Sequence, residues 1–205
     1  ALILSGLSLA LGYGAFSLVV LVIGAATVAA VSRRLRLWSV AGFCYAAAAA
    51  FASAQVRLDE AYGFVALIFV MLVVWAADIG GYFAGRGIGG PKLWPRVSPK
   101  KTWAGAIGGF AGGLVVAAGF AAVGIGKLTP LLLLAAFLSV VSQSGDLFES
   151  AVKRRFGVKD SSQIIPGHGG LLDRLAGFVA AIVVAALFGF LRGDANCIGH
   201  ASMVW

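Results

Sequence analysis

The sequence predicts an all-α fold, a polytopic transmembrane helical bundle with about six spanning helices. Three observations lead there. Of 205 residues, 60% are apolar and only 12% charged, whereas a water-facing domain carries about 25% charged residues. The mean hydropathy is +0.98. Apolar stretches near the roughly 20 residues needed to cross a hydrocarbon core recur six times along the chain. The same arithmetic excludes a soluble enzyme, a disordered regulator and a disulfide-stapled secreted domain.

The first stretch runs from Gly6 to Val31, with an alternative division into two shorter segments around Gly12 and Gly14. The second, Trp38 to Ala54, is the weakest by hydropathy because alanine dominates it. Tyr62 to Phe83, Trp103 to Gly124, Leu131 to Phe148 and Leu171 to Leu191 complete the set. Within the fourth, Gly105, Gly109 and Gly113 share one helical face, a spacing that lets a neighbouring helix approach closely, within the subunit or across a dimer. Residues 1–60 read as N-terminal transmembrane helices, and residues 61–205 as a catalytic transmembrane region with cytoplasmic loops. A start at Ala1, without Met or a basic n-region, shows no signal peptide and is read as a chain lacking part of its N-terminus.

Charge tests this division. Arg33, Arg34 and Arg36 follow the first stretch, and Arg86, Lys92, Arg96, Lys100 and Lys101 follow the third. Lys153, Arg154, Arg155, Lys159 and Arg174 lie between the fifth and sixth, so thirteen of sixteen basic residues fall on one side. The positive-inside rule makes that side cytoplasmic, with both ends of the given chain outside. The net charge of +8 is therefore topology signal and contact with anionic membrane lipids, and no nucleic-acid partner is expected. The two cysteines, Cys44 and Cys197, have no metal-ligand spacing.

Four acidic residues stand apart. Asp78, Asp146, Glu149 and Asp173 lie in or at the ends of apolar helices, where an ionisable group is costly unless paired, hydrated or functional. Asp146, Glu149, Ser150 and Lys153 line one helical stripe, as do Asp78, Tyr82 and Arg86. Asp173 opens the sixth stretch behind Gly167-His168-Gly169-Gly170, where a carboxylate is also an ordinary helix cap. Two carboxylates on separate helices beside Lys and Arg suit a divalent cation bridging phosphate oxygens. Ser98-Pro99-Lys100-Lys101-Thr102, placed just before a helix start, reads as an anion receptor, as does the basic, glycine-rich run from Lys153 to Gly170. Basic clusters beside a membrane also arise from topology and lipid contact alone. Gly85, Gly87 and Gly90 match G-x-G-x-x-G but follow a membrane helix rather than a strand, and no P-loop is present.

The run from Ser150, S-A-V-K-R-R-F-G-V-K-D-S-S-Q-I-I-P-G-H-G-G-L-L-D-R-L, resembles the signature of the phosphatidate cytidylyltransferases, the CDP-diacylglycerol synthases. S-P-K-K-T-W from Ser98, S-Q-S-G-D-L-F-E-S from Ser142 and D-I-G-G-Y-F-A-G-R from Asp78 resemble further blocks of that family, in its order. The resemblance covers most of the chain from the third stretch onward, while the first two stretches carry no comparable motif. It implies a multi-pass membrane enzyme, in the inner membrane if bacterial, with its active site facing the cytoplasm and a homodimeric assembly. The reaction implied joins CTP to phosphatidic acid, giving CDP-diacylglycerol and pyrophosphate, with Mg²⁺ required and K⁺ alongside. The residues so implicated are Asp146 and Asp173 as metal ligands, with Lys153 and Arg154 completing the catalytic set. Ser98, Lys100, Lys101, Lys159, Asp160, His168, Gly169, Gly170 and Arg174 would bind substrate, with Asp78 and Glu149 beside them.

The chain departs from the pattern twice. Ala104 stands where many members carry Glu after Trp103, which is ordinary variation. Ala176 stands where Asp is expected, three residues after Asp173 and on its helical face. Weakened metal binding, or an impaired enzyme, is the expectation. Two other classes share parts of the pattern. A lipid-linked kinase of the polyprenol or dolichol type shares the layout, and an ion-coupled transporter would use the carboxylates as a cation path. The transporter leaves both basic loops unexplained.

Overall fold

The structure, a computed structural model, describes residues 1–162, 170, 172–192 and 198–203, with the backbone alone at 10, 172, 174 and 202. It is an α-helical bundle carrying one short hairpin. The helices are α1 (Leu2–Ala10), α2 (Gly14–Val31), α3 (Arg36–Arg57), α4 (Gly63–Gly87), α5 (Trp103–Ala122), α6 (Leu128–Arg155), α7 (Leu172–Arg192) and α8 (Ile198–Met203). Strands β1 (Lys92–Trp94) and β2 (Ser98–Thr102) pair antiparallel between α4 and α5. Helices α2 to α6, together with Leu175–Arg192 of α7, are the six long and apolar enough to cross a membrane.

The first predicted stretch divides at its glycine. Gly12 takes φ +84°, the Tyr13 amide donates to the Ser8 carbonyl, and the Gly12 amide donates to that of Leu9. This left-handed cap ends α1 and turns the chain back. Ser5 and Ser17 then bond through their hydroxyls at 2.7 Å, so two buried polar groups satisfy each other across the α1–α2 contact. The same capping device ends α6 at Gly157 (φ +68°), where the Val158 amide donates to Lys153 and that of Gly157 to Arg154.

Packing is densest where side chains are smallest. Helices α4 and α5 lie in extended contact. A Cβ added at Gly105 would come 2.9 Å from the Gly81 carbonyl oxygen, and one at Gly109 would come 2.6 Å from that of Ala77. The four-residue glycine spacing therefore serves a contact within the subunit, and Gly113 continues it against Ser139 of α6. Phe69, Val73, Leu131, Leu138 and Ile182 fill the core between α4, α6 and α7. Large apolar side chains on the outer faces, such as Val22, Phe83 and Leu191, remain exposed, as a bundle solvated by lipid requires.

At the bundle end opposite the hairpin, Asp59 ties α8 to the α3–α4 connection. Ala61 and Tyr62 amides donate to its Oδ1 at 3.0 and 2.9 Å, and the His200 amide donates to Oδ2 at 2.7 Å. Burial works against ionisation of this carboxyl, but the His200, Tyr62 and Ala61 amides outweigh it and hold the pKa below the usual carboxylate range. Its contribution to stability is therefore complete above the unfolded-state value of about 4 and is lost as pH falls through the lower folded-state value. Hydrogen-exchange protection of Ile198–Met203 should fall on acidification below about pH 4. Asp59→Asn should be less protected at neutral pH and should lack that acid step. Unchanged protection from pH 6 to 3 would remove Asp59 as the tether.

Candidate active site

Four pieces of backbone meet at the hairpin end: the last turns of α4, the β1–β2 hairpin, the last turns of α6 and the first turns of α7. Thr102 joins hairpin to helix. Its hydroxyl caps α5 by accepting from the Gly105 amide at 3.1 Å, and the Trp103 amide donates to the Pro91 carbonyl. Lys100 and Lys101 are thereby held on a short strand against the ends of α4 and α6.

A cavity of about 540 Å³ opens there, lined by Asp78, Arg86, Lys100, Lys101, Gln143 and Asp146 among others. Small residues of α4 and α5, including Gly81 and Gly105, form much of its wall, so the close helix contact also leaves this space. Lys101 Nζ donates to Asp146 Oδ2 at 3.3 Å, with both side chains about a third exposed.

Asp146 also faces α7. Helices α6 and α7 cross closely at Gly145 and Gly177, and a Cβ on Gly177 would come 3.0 Å from Asp146 Oδ1. One turn earlier on that face of α7 stands Asp173. Lys153 Nζ bridges Asp173 Oδ1 and Glu149 Oε2, both at 3.0 Å, with side-chain exposures of 16%, 9% and 11% for Lys153, Asp173 and Glu149. Asp173 further accepts from the Ser161 amide through both oxygens and from the Gly170 amide at 2.8 Å. Asp173 is thus a loop anchor as well as a carboxylate. Both sequence-based readings of it, ligand and cap, retain a basis.

Glu149 Oε1 is buried without a hydrogen-bond partner among the described residues, a position that is expensive to leave unfilled. Among the described residues, no three His, Cys, Asp or Glu side chains gather into a group able to hold a metal alone. The donors available are two carboxylates on crossing helices with an orphaned carboxylate oxygen nearby. That set suits an ion that takes one or two carboxylates and completes its shell with water and phosphate oxygens, as Mg²⁺ does.

The remaining predicted residues divide. Arg154 uses two of its N–H groups on backbone: Nε donates to the Val97 carbonyl at 3.4 Å and Nη1 to that of Val158 at 3.1 Å, so it pins the hairpin turn to the end of α6. Ser98 pairs with Trp94 in the hairpin and does not line the cavity. Lys159 and Asp160 lie exposed in the segment after α6. His168, Gly169 and the Arg174 side chain fall outside the described residues. Tyr45 of α3, which belongs to no motif, donates its hydroxyl to the Ala176 carbonyl at 3.1 Å and so steadies the first turns of α7. Only its place as a lone tyrosine in an alanine-rich run marked it in the sequence. Gly177 likewise escaped sequence reasoning, since its role appears only when α6 is set against it.

Comparison with known proteins agrees in one direction. A family model described as the cytidylyltransferase family matches residues 3–191. The phosphatidate cytidylyltransferase of Brucella suis is 48% identical over 199 residues, covering 94% of this chain and 73% of that protein. That of Haemophilus influenzae is 46% identical over 138 residues, 64% of this chain and 48% of that protein. The Bacillus subtilis protein of the same name is 44% identical over 131 residues, 61% of this chain and 47% of that protein.

Proposed function

The chain belongs to the cytidylyltransferase family, and from that premise we propose that this nucleotidyltransferase transfers CMP from CTP to phosphatidate at the cytoplasmic face of the membrane. The observation that carries the reading is the position of Asp146. It lines the basic cavity and also touches α7 one turn from Asp173, so one carboxylate faces both halves of the site. The concentration of basic residues at this end supports the cytoplasmic orientation. Assembly as a homodimer belongs to the same reading.

A phosphate oxygen of phosphatidate attacks the α-phosphorus of CTP. The new P–O bond forms as the bond from the α-phosphorus to the α,β-bridging oxygen breaks, and pyrophosphate leaves with that oxygen. The nucleophile is already anionic, so no Ser or Cys nucleophile is required. The protein must align two anions, neutralise them and support the leaving group. Asp146 and Asp173 would hold Mg²⁺, with Glu149 near enough to complete its surroundings. Bound there, the ion would supply charge neutralisation and polarise the phosphoryl oxygens. Lys100, Lys101 and Lys153 are placed to neutralise phosphates, and Lys153 would exchange its carboxylate partners for phosphate oxygens as substrate enters. Arg154 positions the hairpin that carries the two lysines. K⁺ would sit alongside Mg²⁺ as a further positive charge against the carboxylates and phosphates.

Pyrophosphate release from CTP in detergent micelles containing phosphatidate and Mg²⁺ tests the proposal. CTP should support turnover and ATP, GTP and UTP should not. Phosphorylation of a polyprenol with any nucleotide, or ion flux in liposomes without lipid product, would replace it.

A further inference from the structure

Three cations, Arg86, Lys100 and Lys101, and two carboxylates, Asp78 and Asp146, line the cavity. Lys101 is paired with Asp146, but Arg86 and Lys100 have no carboxylate partner among the described residues. Arg86 Nη1 donates to Tyr82 Oη at 3.2 Å, one helical turn away. That bond orients the guanidinium and leaves its other N–H groups without a protein acceptor among the described residues. A guanidinium held this way presents a planar fork matched to phosphate.

The cavity has depth as well as charge. Arg86 lies in the last turn of α4, and Ala77 and Asp78 line the same space eight to nine residues earlier. The space therefore runs about 12 Å along a membrane-spanning helix at 1.5 Å per residue. Tyr82 lines it and is exposed on α4 beside Phe83, and Trp94 and Trp103 are exposed at the hairpin that carries Lys100 and Lys101. Exposed tryptophan and tyrosine mark the level of lipid headgroups. A nucleotide gains nothing from a slot that descends into the bilayer. A lipid needs one, because its phosphate must reach the reacting centre while its acyl chains stay in hydrocarbon.

Resting on the cytidylyl-transfer reading, we propose that this cavity seats the phosphate monoester of the lipid substrate. Arg86, oriented by Tyr82, and Lys100 contact that phosphate, and the nucleotide approaches Asp146 from the α6–α7 side. Both substrates are phosphates, so the test must separate them. In Arg86→Gln, KM for phosphatidate should rise about tenfold, the loss of one charge-assisted hydrogen-bond pair, while KM for CTP stays within about twofold. Arg86→Lys should recover part of the loss, and Tyr82→Phe should show a smaller shift of the same kind. Native mass spectrometry of the detergent-solubilised protein with phosphatidate, without CTP, gives a readout independent of turnover: the lipid should remain bound to the unmodified chain and be lost from Arg86→Gln. A rise in KM for CTP instead, or equal retention of phosphatidate by both chains, overturns the assignment and leaves the activity standing. Arg86-dependent retention of phosphatidate by a chain that never releases pyrophosphate keeps the cavity as a lipid-phosphate site and overturns the activity.

Discussion

Asp146→Asn is expected to lower CTP-dependent pyrophosphate release by about a thousandfold, close to 4 kcal/mol of transition-state stabilisation. The side chain lines the cavity and faces α7 near Asp173, so in the proposed reaction its charge would serve both substrates at once. An amide keeps the shape beside Gly177 but loses the charge that a divalent ion requires. Stability should hardly change, because the Asp146–Lys101 pair is about a third exposed and such pairs contribute under about 1 kcal/mol. The thermal midpoint in detergent and the rate should therefore separate, the first nearly constant and the second collapsing. Raising Mg²⁺ should not rescue the variant. If Asp146→Asn retains a tenth or more of the parent rate, the carboxylate is not the ligand on which the reaction depends.

How much of this arrangement the chain declares depends on the length scale of each feature. Spanning helices are set by runs of about 20 apolar residues and loops by their lysines and arginines, so both are legible from local composition. The break at Gly12 was visible as an alternative but could not be chosen, since the cap that makes it uses only backbone atoms. The hairpin was not legible. β1 has three residues, Pro95 and Pro99 interrupt the segment, and its order comes from the Trp103–Pro91 bond and the Thr102 cap. Helix α8 is six residues long and depends on an Asp59 bond spanning 141 positions.

The site follows the same rule. The carboxylates stood out because charge in an apolar helix is conspicuous, and helical spacing correctly put Glu149 and Lys153 within reach of one another. Spacing said nothing of pairings between helices. Lys101 with Asp146, Lys153 with Asp173 and Tyr45 with Ala176 join positions 45, 20 and 131 residues apart. Arg154 adds a structural role that a basic cluster does not announce: two of its N–H groups reach the backbone carbonyls of Val97 and Val158.

Ala176→Asp should raise the rate and, at the same time, make stability depend on Mg²⁺. Position 176 is 1% exposed, on the helical face of Asp173, at the crossing where α7 meets Gly145 of α6. A carboxylate introduced there loses its hydration and stands near two others, a cost of several kcal/mol without a cation. With Mg²⁺ bound, the same group becomes a further oxygen ligand, and part of that cost returns as binding free energy. The variant should therefore melt below the parent in chelator, recover on adding Mg²⁺, and turn over at least about tenfold faster at limiting Mg²⁺ if the new ligand contributes even 1.4 kcal/mol. The parent's melting temperature should respond weakly to Mg²⁺, since Asp146 and Asp173 are already satisfied by Lys101 and Lys153. A variant destabilised equally with and without Mg²⁺ would mean that position 176 faces packed side chains rather than the ion. In that case Ala176 is a core residue, and the weakened metal binding expected from its departure from the family pattern would have to be abandoned.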